Sequence, residues 1–141
     1  MNYMRNKTFV DSNILIYAYV TSNKSKHIKA REMLYKEIFN DEMLLSTQIL
    51  SEFTSVLFKY KMPIIEIEYY FYEIINSIIV VNLSTITLSV AYDIKKRYKF
   101  SWWDSIIVAT ALENDCNILL TEDLQHNQVI EGRLQVINPF L

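Results

Sequence analysis

The chain is poor in the residues that punctuate or cross-link small folds. Its 141 residues include one glycine, Gly132, and two prolines, Pro63 and Pro139. Proteins made of many tight hairpins consume glycine at positive-φ turns, so that architecture is excluded, as are collagen-like and low-complexity chains. A single cysteine, Cys116, allows neither an intrachain disulfide nor a cysteine-built zinc site. Two histidines, His27 and His126, are too few for a histidine-rich metal site and sit in no pattern that suits catalysis; with Cys116 they read as structural. Any metal site would have to use oxygen ligands. Apolar runs such as residues 78–81 fall far short of the roughly 20 residues that span a bilayer. The opening MNYMRNKTFVD has no apolar stretch of the kind a signal peptide carries. A cytoplasmic protein without membrane association is expected.

What is present is a globular composition. Hydrophobic residues make up 51% and charged residues 21%, which excludes disorder. The length suits one domain, residues 1–141. The net charge of −2 provides no global basic field for nucleic acid, though a local patch fits within a near-neutral total.

Residues 8–11, Thr-Phe-Val-Asp, form an apolar run ending in an acid and read as a first strand. Residues 11–19 read as a turn feeding a short helix. Residues 25–39 follow as a helix with Ile28, Met33, Leu34 and Ile38 on its apolar side. The run 43–45 precedes Ser46 and Thr47, both good helix caps, and a helix over 48–60 in which Ile49, Phe53, Val56 and Tyr60 share a face. Beyond Pro63 come a helix over 65–76, a strand over 79–82 and a helix over 84–98 with a basic end suited to a helix C-terminus. A helix over 101–114, a buried strand over 118–120, a loop over 121–126 and a last strand over 134–137 complete the chain. Strands alternate with helices and are continuous apolar runs. That pattern predicts an α/β fold of three layers, with a central four- to five-stranded parallel sheet covered on both faces.

Open parallel sheets bind ligands beyond the carboxyl ends of their strands. Asp11 ends the first strand and Asp123 follows the strand over 118–120. Asp104 lies in the first turn of a helix, and Glu52 in the first half of another. Four carboxylates from four distant segments are therefore expected on one edge of the sheet. Asp104 shares a face with Ile107, Val108 and Ala111, and Glu52 lies between Ile49 and Val56, with no Lys or Arg three or four residues away from either. Crowded carboxylates repel and raise one another's pKa, and a hard divalent cation such as Mg²⁺ or Mn²⁺ relieves that cost. Each acid also has a plainer reading. Asp11 before Ser12 and Asn13 fits a helix N-cap. Asp104 fits the acidic position of a capping box opened by Ser101. Glu52 fits a boundary residue reaching solvent, and residues 121–123 fit an ordinary polar turn.

These residues also carry a family resemblance. FVDSNILIYAY (9–19), STQILSEF (46–53), SWWDSIIVATALENDCNILLTEDLQ (101–125) and VINPF (136–140) resemble PIN-domain proteins, most of all the VapC-type toxin ribonucleases of bacterial toxin–antitoxin pairs. The resemblance implies a PIN-like fold and Mg²⁺- or Mn²⁺-dependent endoribonuclease activity. It implies Asp11, Glu52, Asp104 and Asp123 as catalytic acids, with Asp11, Asp104 and Asp123 as metal ligands and Asn13 and Thr121 in support. Glu122 is a neighbouring alternative to Asp123. Asn127 stands where many relatives carry glycine, and asparagine tolerates the left-handed backbone. A homodimer and a cognate antitoxin that covers the acidic site are implied as partners, beside the RNA substrate.

The remaining features read two ways. Lys24, Lys26, Lys29 and Arg31, and the stretch 95–99, read as solvated helix surface or as a rim for an RNA backbone. Tyr69, Tyr70, Phe71 and Tyr72 are consecutive, so one helix cannot bury them all, and part of that surface is expected to meet another chain. Trp102 and Trp103 read as core or groove wall. The competing functions are a non-catalytic Mg²⁺-binding regulatory module, which would want a lysine after a late strand and paired early acids, and an RNA-binding module with a vestigial acidic cluster.

Overall fold

The computed structural model describes residues 6–40 and 42–141, the side chains of 36–40 excepted. Its elements are β1 (Lys7–Val10), α1 (Ser12–Tyr19), α2 (Lys24–Asn40), β2 (Glu42–Ser46), α3 (Thr47–Lys59), α4 (Ile64–Ser77), β3 (Ile79–Val81), α5 (Thr85–Tyr98), α6 (Trp102–Glu113), β4 (Ile118–Leu120), β5 (Val129–Ile130) and β6 (Leu134–Ile137). The sheet runs β3-β2-β1-β4-β6-β5. The first five strands in that order are parallel, as the apolar runs predict, and β5 adds a short antiparallel edge paired to β6. Two residues are too few to show a pattern, which is why β5 is invisible in the sequence.

The order of strands fixes where a ligand can bind. From β1 the chain steps outward to β2 and β3, then returns past β1 to β4. Right-handed crossovers therefore place α1–α4 on one face of the sheet and α5–α6 on the other. The direction reverses between β1 and β4, which are direct neighbours: Phe9 pairs with Leu119 and Val10 with Leu120. Such a switch point leaves a crevice at the carboxyl ends of the two strands.

Local chemistry fixes the helix starts around that crevice. Asp11, Ser46, Ser84 and Ser101 are the N-caps of α1, α3, α5 and α6, each accepting a backbone N–H. The capping readings of Asp11 and Ser101 are thus realised along with the clustering described below. The core is centred on Phe9, Leu45, Phe53, Leu57, Leu119 and Leu120, all fully buried, and a smaller cluster of Ala91, Ile106 and Ala109 joins α5 to α6. Helix α6 is buried from Ser105 to Leu112. Two sequence assignments shift. Ile28 is exposed while Ala30 and Leu34 are buried, because α2 turns a different face inward; Ile38 lies outside the described side chains. Tyr60 falls beyond the end of α3 and is exposed, its place in the core being taken by Leu57.

Helix α5 ends at Lys99, whose φ of 60° is left-handed. A side chain there costs about 1–2 kcal/mol that glycine avoids. Lys99→Gly is expected to stabilise the protein by about 1 kcal/mol in urea unfolding. Asn127 also adopts the left-handed region, at φ 69°, so the loop keeps the conformation that glycine would give it.

Candidate active site

The switch point gathers three of the four expected acids. Carboxylate oxygens of Asp11, Asp104 and Asp123 lie within 4.8 Å of one another. Asp11 is brought there by the end of β1, where its N–H donates to Leu120 O at 3.0 Å, locking it to the last residue of β4. Asp123 comes from the loop after β4, and Asp104 from the first turn of α6, whose N-terminus opens on the same edge.

Hydrogen bonds hold the cluster from behind. Asp11 Oδ1 accepts the Ser12 N–H at 2.7 Å and Oδ2 accepts the Thr121 hydroxyl at 2.7 Å. Thr121 Oγ1 in turn accepts the Asp123 N–H at 3.1 Å, so one hydroxyl ties both acids together. Asn13 Nδ2 donates to Asp123 Oδ2 at 3.1 Å, while its Oδ1 is buried with no hydrogen-bond partner among the described residues. Asp104 receives its position from the cap, its N–H donating to Ser101 Oγ at 3.1 Å.

Glu52 stands outside the group of three but is close enough for its charge to act on Asp104. It is oriented by Gln48, four residues earlier on α3, whose Nε2 donates to Glu52 Oε1 at 3.1 Å. That i, i+4 pair, like the Ser101 cap on Asp104, follows from helical spacing. Glu122 is excluded from the cluster: it forms an ion pair with Lys26 at 2.7 Å and accepts the Tyr17 hydroxyl at 3.1 Å.

Burial and mutual repulsion raise the pKa of all three acids. Asp11 is 3% exposed, and burial, reinforced by the charges of Asp123 and Asp104, pushes its carboxyl from 3.8 up to about 6 against the opposing hydrogen bonds of Thr121 and Ser12. Asp104 is raised by burial and by Glu52, and Asp123 by burial, Asp104 and Glu122. No ion pair among the described residues engages any of the three. Clustered, partly buried carboxylates with only oxygen donors, beside an unpaired buried amide oxygen, suit a hard divalent ion.

The other sequence candidates fall as follows. His27 Nδ1 lies 2.8 Å from Tyr17 O, and His126 Nδ1 accepts the Asn138 N–H at 3.0 Å. Cys116 is buried, and burial pushes its thiol up to about 12, so it is an inert packing group. Trp102 packs beside Tyr92, centroids 4.7 Å apart, whereas Trp103 is 61% exposed and is not core, since it occupies the neighbouring face of α6 beside Asp104. Of the basic residues, Lys26 and Arg97 are engaged in ion pairs, Arg31 donates to Ala18 O and Lys95 to Phe100 O. Tyr69 and Tyr72 are exposed while Tyr70 and Phe71 are half-buried, and Tyr69, Tyr72 and Ile65 line a concavity along α4.

Fold and site together define an open parallel α/β protein with an acidic, all-oxygen crevice at the switch point of its sheet. The PIN domain profile matches residues 8–131, and the chain belongs to the PIN domain family. Solved structures agree in fold. A toxin–antitoxin complex from Klebsiella pneumoniae superposes at a TM-score of 0.70 and 21% identity, covering 94% of this chain and 97% of that one. Mycobacterium tuberculosis VapC20, described as a sarcin-ricin loop cleaving toxin, gives 0.70 at 14% identity, covering 89% and 98%. VapBC2 from Rickettsia felis, bound to a DNA fragment from its promoter, gives 0.65 at 14% identity, covering 94% and 99%. Against curated protein sequences the chain finds no match.

Proposed function

We propose that this protein is a divalent-metal-dependent endoribonuclease, the cytoplasmic toxin of a toxin–antitoxin pair. The observation that carries this reading is the convergence of Asp11, Asp104 and Asp123, with no basic side chain among the described residues paired to them. The toxin relatives of the same fold support it. Among the described residues no helix is long and apolar enough to cross a membrane.

Asp11 and Asp104 are assigned the main ion, with Asp123 completing its ligand set; Mg²⁺ is the expected ion and Mn²⁺ its substitute. When bound, such an ion lowers the pKa of coordinated water and offsets charge on the scissile phosphate. The protein's own contribution is orientation. Thr121 holds Asp11 Oδ2 and the Asp123 backbone, and Asn13 aims Asp123. Glu52, held by Gln48 at one oxygen, offers the other to orient the attacking water or to bind a second ion. The exposed apolar side chains of α4, Ile65 at 82% and Tyr69 at 66%, support a protein partner, as antitoxin or second protomer.

The test is RNA cleavage by the pure protein. Cleavage of total RNA should need Mg²⁺ or Mn²⁺, stop on EDTA and return on adding back the ion. Growth arrest on expression, relieved by the product of a neighbouring small gene, would support the toxin reading. Cleavage undiminished in EDTA would refute the metal dependence, and no cleavage with ample metal would favour a binding module.

A further inference from the structure

Besides Glu52, one more acid lies close to the cluster without joining it. Glu122 precedes Asp123, and its charge acts on Asp123. Two groups from elsewhere in the chain hold its carboxylate. Lys26 Nζ, from α2, meets Glu122 Oε2 at 2.7 Å, and the Tyr17 hydroxyl, from α1, donates to Oε1 at 3.1 Å. The Lys26 ammonium also lies 3.3 Å from the Tyr17 oxygen, and it sits over the rings of Tyr17 and Phe140, 4.8 and 5.1 Å from their centroids. The two rings meet edge to face at 5.2 Å, which links the C-terminal segment to α1. Both sides of the ion pair are only partly exposed, at 32% and 22%. Lys26 is thus held by a carboxylate and two π faces at once, a more confined setting than an ordinary surface lysine.

Resting on the metal-dependent reading above, we propose that Lys26 and Tyr17 form a latch that holds Glu122 out of the acid cluster, so that Asp123 alone from this loop faces Asp11 and Asp104. The latch sets the number of carboxylates at the site. A fourth anionic ligand would tighten cation binding and fill a coordination position that water or phosphate needs. Lys26 is therefore a positioning residue, acting through Glu122.

The test uses Lys26→Met, which keeps an unbranched apolar stem against the two rings and removes the charge. Mn²⁺ binding is measured by calorimetry on the full chain in parallel with RNA cleavage at saturating Mn²⁺. Freed from the latch, Glu122 should join the cluster: Mn²⁺ binds about tenfold more tightly, since affinity at oxygen sites follows ligand charge, while cleavage falls about tenfold. Adding Glu122→Gln to Lys26→Met should return both to near parental values, and Glu122→Gln alone should neither tighten Mn²⁺ binding nor slow cleavage about tenfold. A merely structural role for Lys26 cannot raise metal affinity or be reversed at Glu122. Unchanged Mn²⁺ affinity in Lys26→Met, or a cleavage loss that Glu122→Gln leaves in place, overturns the latch while the metal reading stands. A parent that binds no Mn²⁺ overturns the metal reading and the latch with it.

Discussion

Asp11→Asn is expected to abolish RNA cleavage and at the same time to stabilise the metal-free protein at neutral pH. The loss should be at least about 100-fold, because even residues that only orient metal ligands cost about 10–100-fold when changed. The gain follows from the same carboxylate. Its folded pKa, about 6, lies above the ordinary 3.8, so the folded state holds this proton more tightly than the unfolded chain. The resulting penalty is absent below pH 3.8, grows as pH rises to about 6, and is complete above it. At about 1.4 kcal/mol per pKa unit it reaches about 3 kcal/mol. Asparagine still caps α1 but loses the charge-assisted bond from Thr121, so the net gain is about 1–2 kcal/mol. Thermal unfolding in EDTA between pH 4 and 8 should show the parent losing stability with rising pH and the variant losing less. Asp104 and Asp123, shifted in the same direction, keep a residual slope in both. Mg²⁺ should restore the parent's stability and do little for the variant. A variant less stable than the parent at pH 8 in EDTA would contradict this account of the site.

Phe9→Ala should have the largest effect on folding. Phe9 is fully buried on the central strand, paired in register with Leu44 on one side and Leu119 on the other. Deleting a buried phenylalanine costs about 3–5 kcal/mol in lost transfer energy and residual cavity. That is a large share of the roughly 5–15 kcal/mol that holds a typical domain together. The midpoint of urea unfolding should fall sharply. Phe9→Leu, which keeps most of the volume, should cost about 1.5 kcal/mol or less by comparison. Since Asp11 lies two residues along the same strand end, Phe9→Ala should also weaken Mn²⁺ binding in whatever fraction remains folded. Equal midpoints for Phe9→Ala and the parent would show that the strand is not the keystone described.

The parts of the structure that were readable in the sequence are those written in local patterns. Apolar runs marked β1, β2, β4 and β6, the 3.6-residue period marked the helices, and Ser46, Ser84 and Ser101 marked where three of them start. The rule that parallel sheets bind at strand ends places Asp11, Glu52, Asp104 and Asp123 on one edge, where three of the four meet. What stayed hidden depends on long-range geometry. Glu52 has the same sequence character as the other acids, yet its distance from the three is set by how α3 packs against α1, which spacing does not encode. The motif already favours Asp123 over Glu122, but the pairing that engages Glu122 joins it to Lys26, 96 positions away, and only the fold reveals it. Trp102 and Trp103 read alike in the sequence, although adjacent helix positions face different directions: Trp102 packs on Tyr92 and Trp103 is mostly exposed.

The joining of Asp11 to Thr121, 110 residues apart, has a consequence for biosynthesis. The acid crevice does not exist until the final quarter of the chain has left the ribosome and β4 has docked alongside β1. On the proposed function, a chain translated only as far as β4 is expected to cut no RNA, because Thr121 and Asp123 both come after that strand.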